Sequence, residues 1–314
     1  MTHIQLGLTL PGGPRDNIAR EPFLNAVQKS LDLVAEHFDS AWFTDHLQFG
    51  ASPVLEGWTA LTYLAAQNPR LRFGHAVLAQ SFRNPALLAK MAATFQYMSS
   101  GRLILGLGAG WHEEEYKAYG YDFPAAGTRV AELEETLQII KALWRDKQAT
   151  VEGKHYRVVA AYCEPKPDPL PTIMIGGGQP RMLRLIARHA DWWNVSMTPI
   201  ERYREQVQEC ERACADVGRD PATLRRSWFG GCVCVPHGTD ATKISSGRWN
   251  GSNAFIGTQD QVIEQMLPFI ELGVDYFMLN NGSFPDLTTL ELLIHEVLPR
   301  LNAGSDIFTP QNPC

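Results

Sequence analysis

The sequence predicts a (β/α)8 barrel, on three observations. Short apolar runs alternate with helical-period segments from one end of the chain to the other. Eight such pairs can be counted with no strand left over, which points to a closed ring rather than an open sheet. The apolar runs end in glycine or polar residues where the chain turns towards the next helix, and a length of 314 residues suits one such barrel. The predicted unit runs from 1 to 302, with 303–314 as a C-terminal tail.

Taken in order, Ile4 to Leu10 is the first strand, closed by the turn Pro11-Gly-Gly-Pro14. Leu24, Val27, Leu31 and Val34 recur at helical spacing, and Ser40 to Thr44 is the second strand. A helix through Trp58, Leu61 and Leu64 leads to a third strand, Leu71 to Ala79. Leu88, Met91, Phe95 and Met98 mark a helix whose first turn suits Pro85. The fourth strand, Arg102 to Leu107, is apolar at 103, 104, 105 and 107, as expected where both faces are buried. It enters a turn at Gly106, Gly108 and Gly110, where glycine permits positive φ and close approach to a ligand. Leu133, Leu137, Ile140 and Trp144 share the face of the fourth helix.

The alternation then pauses. Thr150 to Tyr156 reads as a small hairpin turning at Gly153, and Glu164 to Pro171 as a stiff linker. It resumes with Thr172 to Ile175, a helix over Met182 and Ile186, a strand Asp191 to Val195 and a helix from Tyr203 to Cys214. Leu224 to Val235 is the seventh strand, and 236–256 a long polar loop. A helix through Val262, Met266 and Phe269, a strand Asp275 to Leu279 and a helix through Leu290, Leu293 and Val297 complete the barrel.

Composition excludes several classes. With 34 acidic and 28 basic residues nothing suggests a nucleic-acid surface. No apolar run approaches the roughly 20 residues that cross a bilayer, and the N-terminus lacks a signal-peptide pattern, so a cytoplasmic protein is expected. Six cysteines are too few for a disulfide framework in a chain this long. Cys210 and Cys214 fall on one helical stripe and Cys232 and Cys234 on one strand face, as buried thiols do; no further ligands stand at metal spacing.

In such barrels the site lies at the carboxyl ends of the strands. These ends supply Asp45 and His46; Ala76 to Gln80; Gly108, Ala109, Gly110, Trp111 and His112; Gly176, Gly177 and Gly178; Asn194 and Ser196; and Asn280 and Asn281. The set is rich in backbone donors and poor in charge, which suits a flat, polar-edged cofactor better than a metal. His46 is the candidate for proton transfer, against the plainer reading of a loop histidine. His75, inside the third strand, is placed to face the barrel interior. Gly176-Gly-Gly178 precedes a helix and offers N–H groups to a phosphate, or is simply a turn. Trp42, Phe43 and Trp193 either wall a ring-shaped ligand with Trp111 or pack the core. Glu113, Glu114 and Glu115 read as a solvated helix start.

These motifs together resemble the bacterial-luciferase-like superfamily of flavin and deazaflavin oxidoreductases, over essentially the whole chain. The carriers are Trp42-Phe-Thr-Asp-His46, the Arg83 to Thr94 stretch, Gly101 to Trp111, Ile175-Gly-Gly-Gly178, Gly257-Thr258 and Leu272 to Phe277. The Gly-Ala-Gly-Trp turn followed by acidic residues is similar to the branch that uses the deazaflavin coenzyme F420. The resemblance implies hydride transfer between F420 and an alcohol, carbonyl, imine or activated C=C, with His46 as proton shuttle. It places Asp45 and His46 against the ring's polar edge and reactive carbon. It also implies a non-proline cis peptide at Ala76–Val77 backing the ring, the Gly108-Ala109-Gly110 turn beside it, and Gly176 to Gly178 at the phosphate. Trp111 and His112 would border the substrate. Arg15, Arg83, Arg181 and Arg184 are candidates for an acidic tail at the groove mouth.

Two departures stand out. Ala79 replaces the Thr or Ser of many relatives, and Trp111 stands where the sugar-phosphate dehydrogenases have glutamate, so their activity is not carried over. The alternative is an oxygen-using monooxygenase that takes reduced flavin mononucleotide (FMN) from a flavin reductase partner. A non-catalytic flavin-binding protein and a metal-dependent barrel hydrolase are less favoured. Relatives are usually dimers, so a homodimer is expected.

Overall fold

The computed structural model describes residues 3–14, 18–244 and 249–303; Arg15, the 304–314 part of the expected tail and Cys314 lie outside them. The chain begins with strand β1 (Gln5–Thr9), helix α1 (Arg20–Val34), β2 (Ser40–Phe43) and α2 (Gly57–Gln67). Next come β3 (Arg72–His75), β4 (Leu78–Ala79), α3 (Pro85–Met98), β5 (Leu103–Gly108), the short α4 (Glu113–Ala118) and α5 (Ala126–Arg145). An antiparallel hairpin, β6 (Ala149–Glu152) with β7 (Arg157–Ala161), precedes β8 (Thr172–Gly176), α6 (Pro180–His189), β9 (Trp192–Ser196), α7 (Ile200–Asp216) and β10 (Arg225–Cys234). After β11 (Ala254–Gly257) come α8 (Gln259–Glu271), β12 (Val274–Asn281), α9 (Thr288–Leu292), a π turn at Leu293–Val297 and α10 (Leu298–Ala303).

Eight positions around the ring are parallel, in the order β1, β2, β3/β4, β5, β8, β9, β10, β12. The last closes on the first in the register Gln5↔Tyr276 to Thr9↔Asn280. The predicted (β/α)8 barrel and its hairpin are therefore present, with three differences from the expected alternation. The short helix α4 follows the glycine turn. The third strand is broken: Gly74↔Ile104 is followed by Leu78↔Leu107, so four residues of one strand span three of its neighbour, a one-residue bulge at the cis peptide Ala76–Val77. Within the expected 236–256 loop, Ala254–Gly257 adds a strand that pairs Gly231–Cys234 of β10 in parallel.

That extra strand has a simple cause. β10 is ten residues long, and β9 pairs only its first half, Arg225 to Phe229. The second half has open hydrogen-bonding groups on that edge, and an apolar Ala-Phe-Ile segment is there to fill them.

Two apolar layers form the core. Inside the ring Trp42, Ile104, Met174, Trp192, Phe229, Tyr276 and Met278 pack together. Outside it, residues such as Leu31, Phe73, Leu88, Leu137, Ile186, Val262 and Leu293 join strands to helices. Trp42, Phe43 and Trp193 are buried, so the core reading holds for all three. Met98 is the exception on its predicted stripe, standing exposed at the end of α3. The floor at the amino ends of the strands is closed by Arg225, whose guanidinium lies over Trp192 and Tyr276 and pairs with Asp275 at 2.8 Å. Cys163, Cys210, Cys214, Cys232 and Cys234 are buried and free, and burial raises their thiols. Among the described residues no helix is long and apolar enough to cross a membrane.

Candidate active site

A cavity of ≈ 520 Å³ opens at the carboxyl ends of the strands. Asp45, His46, Ala76, Val77, Gly108, Ala109, Gly110, Trp111, Gly176, Gly177 and Gly178 all line it, with Asn194 and Ser196. So do Glu115, Met182 and Gln206, which come from helices. Asn280 and Asn281 lie elsewhere: the Asn280 amide donates to the Gly230 carbonyl, and Asn281 holds the Ser283–Asp286 turn. His112 is also outside the lining, its ring 4.8 Å from that of Phe49.

The first feature of chemical interest is His46 with Glu115. The imidazole Nδ1 lies 3.0 Å from Glu115 Oε1, while the Leu47 N–H donates to Glu115 Oε2 at 2.8 Å. One carboxylate thus fixes both the ring and the backbone that carries it. Nδ1 is occupied, which leaves Nε2 as the ring atom for a substrate. Burial alone would raise the Glu115 carboxyl, but His46 and the Leu47 N–H hold it below its ordinary range. Glu115 had the look of a solvated helix start beside Glu113 and Glu114. Those two are exposed, whereas Glu115 is buried.

The turn before α4 explains that inward aim. Gly110 has φ 76°, and a Cβ on it would fall 1.9 Å from Tyr116 Oη. Tyr116 is itself buried and hydrogen-bonded to Ser81 Oγ at 2.7 Å. With the glycine folded onto that tyrosine, the first turn of α4 lies against the cavity and its third residue, Glu115, faces His46.

Asp45 also lines the cavity, but its carboxylate is committed. Arg83 binds both oxygens at 2.8 Å, and the Ala79 N–H donates to Oδ2 at 3.0 Å. Arg83 also pairs with Glu56, which caps α2 through the Trp58 and Thr59 N–H groups. Burial would raise Glu56; the N–H groups of Thr59 and Trp58 and the Arg83 charge bring it down to about 2. Arg83 is therefore a buried tie between the second and third strand ends, not a cation at the mouth as expected.

His75 turns away from the expected barrel interior. It lies on the face of Phe73, buried and stacked on Trp58 at 5.3 Å, with neither ring nitrogen hydrogen-bonded. Burial, partly opposed by Asp45, brings it down to about 4, so it is neutral near pH 7.

The glycines divide by role. Gly106 and Gly108 are in the strand, without positive φ. A Cβ at 106 would meet the His75 carbonyl at 1.9 Å, one at 108 would meet Val77 Cγ2 at 2.6 Å, and one at 176 would meet Val77 Cγ1 at 3.1 Å. They make room for the bulge of the third strand, and Val77 thereby becomes the cavity's back wall. Gly177, with φ 142°, begins the turn into α6, where Pro180 takes the first helical position. Gln206 Nε2 donates to the Gly178 carbonyl at 3.2 Å, and its buried Oε1 has no protein partner. Arg181 and Arg184 are exposed on α6. Gln206 was missed because α7 carries several polar residues and only the fold selects this one.

The profile of the luciferase-like monooxygenase family matches residues 33–249, more than half of the chain. The chain belongs to that family. A curated relative, the phthiodiolone/phenolphthiodiolone dimycocerosates ketoreductase of Mycobacterium sp. (strain JLS), is 34% identical over 220 residues, 62% of this chain and 57% of that protein. An F420-dependent glucose-6-phosphate dehydrogenase of Nocardia farcinica is 26% identical over 316 residues, 86% of this chain and 92% of its own. The chain spans about half of the length of several curated relatives that it matches. A solved F420-dependent secondary alcohol dehydrogenase, in complex with an F420-acetone adduct, superposes with TM-score 0.81 over 95% of this chain and 98% of that one; at 19% identity this shows the fold alone.

Proposed function

We propose that this luciferase-like protein is an oxidoreductase that moves a hydride between coenzyme F420 and a small organic substrate. The observation that carries the reading is the His46–Glu115 pair, set at the wall of a cavity otherwise lined by strand-end glycines, Val77 and, from the helices, Met182 and Gln206. The F420-dependent names of several relatives support it. The residues also fit such a group. Val77 gives the back wall, the first turn of α6 beyond Pro180 offers backbone N–H groups to an anion while the Gly177 N–H is taken by the Asn194 carbonyl, and the buried Gln206 Oε1 has no protein donor.

Bound there, the deazaflavin supplies a two-electron hydride couple. His46, held at Nδ1 by Glu115, keeps Nε2 for the proton that a substrate oxygen or nitrogen gains or gives up. Asp45 orders the loop that carries His46 through its ties to Arg83 and Ala79. Trp111 covers the opening beside His46, with ring centroids 5.7 Å apart.

The second reading is an FMN-dependent monooxygenase fed by a flavin reductase, which the family's description favours. Titration of the purified protein with F420 and with FMN, followed by fluorescence, separates the two. Micromolar or tighter binding of F420 and weak binding of FMN are expected; the reverse preference overturns the proposal. The same reading includes a cytoplasmic homodimer, with the exposed Tyr63, Tyr97 and Met98 of α2 and α3 as its candidate contacts. Light scattering checks the dimer.

A further inference from the structure

Two exposed aromatic rings stand beside His46: Trp111, which lines the cavity, and Phe49, which lies outside the lining and packs on the same imidazole. Trp111 is 67% exposed and Phe49 37%, with centroids 6.3 Å apart and planes tilted by 39°. Both lean on His46: Phe49 at 4.4 Å and Trp111 at 5.7 Å. Leaving an indole of this size in water forgoes its burial. Its ring edges the same cavity that His46 lines, which is where a reacting group would meet the imidazole. The flanking charge is acidic: Glu113 and Glu114 follow Trp111 and are exposed, and the Lys117 ammonium is already paired with Glu113 at 2.7 Å. A phosphate or carboxylate brought to these rings would meet carboxylates first.

We propose that Phe49 and Trp111 form a shelf for the body of an uncharged ketone, or the corresponding secondary alcohol, that carries a flat aromatic or apolar group. This rests on the F420 reading above. In the reductive direction the carbonyl carbon takes a hydride from reduced F420, and the carbonyl oxygen takes a proton through His46. The ketone becomes the secondary alcohol, and the oxidised coenzyme has lost one hydrogen as that hydride and the other as a proton to solvent, from which His46 is reprotonated. The shelf stacks the body of the substrate and so sets the carbonyl beside Nε2.

The test uses acetophenone, with glucose 6-phosphate as the anionic comparison, on the full chain and on W111A and F49A. F420 affinity is measured first for each. Expected are turnover of acetophenone with reduced F420, none of glucose 6-phosphate with oxidised F420, and a KM for acetophenone raised about tenfold or more in W111A. F49A shifts KM in the same sense. In W111A kcat for acetophenone also falls, by less than the rise in KM, because the shelf orients the carbonyl; in F49A, whose ring is outside the cavity lining, the F420 Kd stays within about twofold. Quenching of tryptophan fluorescence by acetophenone in the oxidised F420 complex is expected in the wild type and lost in W111A. If F420 binds but acetophenone neither turns over nor quenches, or KM is unmoved in both variants, the shelf is wrong and the cofactor reading survives. Turnover of glucose 6-phosphate in preference to acetophenone also overturns the shelf alone. If F420 does not bind, the cofactor reading fails and the shelf proposal fails with it.

Discussion

Glu115 holds the His46 ring and the Leu47 amide at once, so its removal separates positioning from binding. In E115Q the Leu47 N–H still needs an acceptor and holds the amide oxygen, so the amide nitrogen faces Nδ1 and donates to it, leaving the imidazole proton on Nε2, the wrong tautomer for accepting one. A hydrogen bond to a charged group contributes about 1.5–3 kcal/mol, so kcat for alcohol oxidation should fall by about tenfold to a hundredfold. The F420 Kd should stay within about twofold; a parallel loss of F420 binding would show that Glu115 merely shapes the cavity. H46N should cost more, about 10²- to 10⁴-fold in kcat, if the imidazole carries the proton. Stopped assays at saturating substrate decide both. The place of His46 at the cavity wall was legible in the sequence because Asp45-His46 closes a predicted barrel strand. Glu115 was not: three consecutive glutamates look alike until the φ of Gly110 decides which of them turns inward.

The third strand owes its bulge to its neighbours. Gly106 and Gly108 lie on the adjacent β5 and Gly176 on β8, one strand further round, and each removes a Cβ that would crowd His75 or Val77. Adding one methyl should therefore be felt through Val77. G108A is expected to lose about 1–3 kcal/mol of stability by overpacking. Most of that loss should return in the V77A background, where the clashing methyl is gone. Urea unfolding of the four proteins measures the coupling; additive losses would sink the idea that the glycine serves the bulge. The strands and helices themselves were readable from period and punctuation. The use of these glycines was not, because a glycine that yields space to an adjacent strand and one that adopts positive φ look identical in one dimension. β11 was hidden for a related reason: three apolar residues at the end of a polar stretch become a strand only because β10 outruns β9.

At the scale of the molecule, buried His75 links stability to pH. Its neutral form is favoured when folded, near 4, while the unfolded chain protonates it near the ordinary value of 6.5. Between those limits the unfolded state binds more protons, so stability falls as pH drops from 6.5 towards 4 and is recovered above 6.5. The size is about 3 kcal/mol at the acid end. Chemical denaturation at pH 7 and pH 4 should show the loss, and H75F, which keeps the stack on Trp58, should reduce it by at least half. An equal loss in H75F would place the acid sensitivity elsewhere, with His189, also brought down to about 4 by burial, as the next suspect. The barrel as a whole was legible because eight repeats of one pattern leave little freedom of topology. The cavity's location followed from the strand ends, but its polar wiring depended on contacts across the ring, as with Arg83, whose exposed-looking position proved to be a largely covered tie to Asp45. The double use of β10 carries a consequence for how such a barrel can change over time. One edge of it stays in the ring against β12 as far as Cys232, while on the other edge β9 pairs Arg225 to Phe229 and β11 pairs Gly231 to Cys234, so the segment between β10 and β11 leaves from and returns to a single strand. An insertion or exchange between those anchors leaves every ring pairing intact. A lineage can re-tailor the rim there one loop at a time, and a designer can graft a foreign loop at the same two joints.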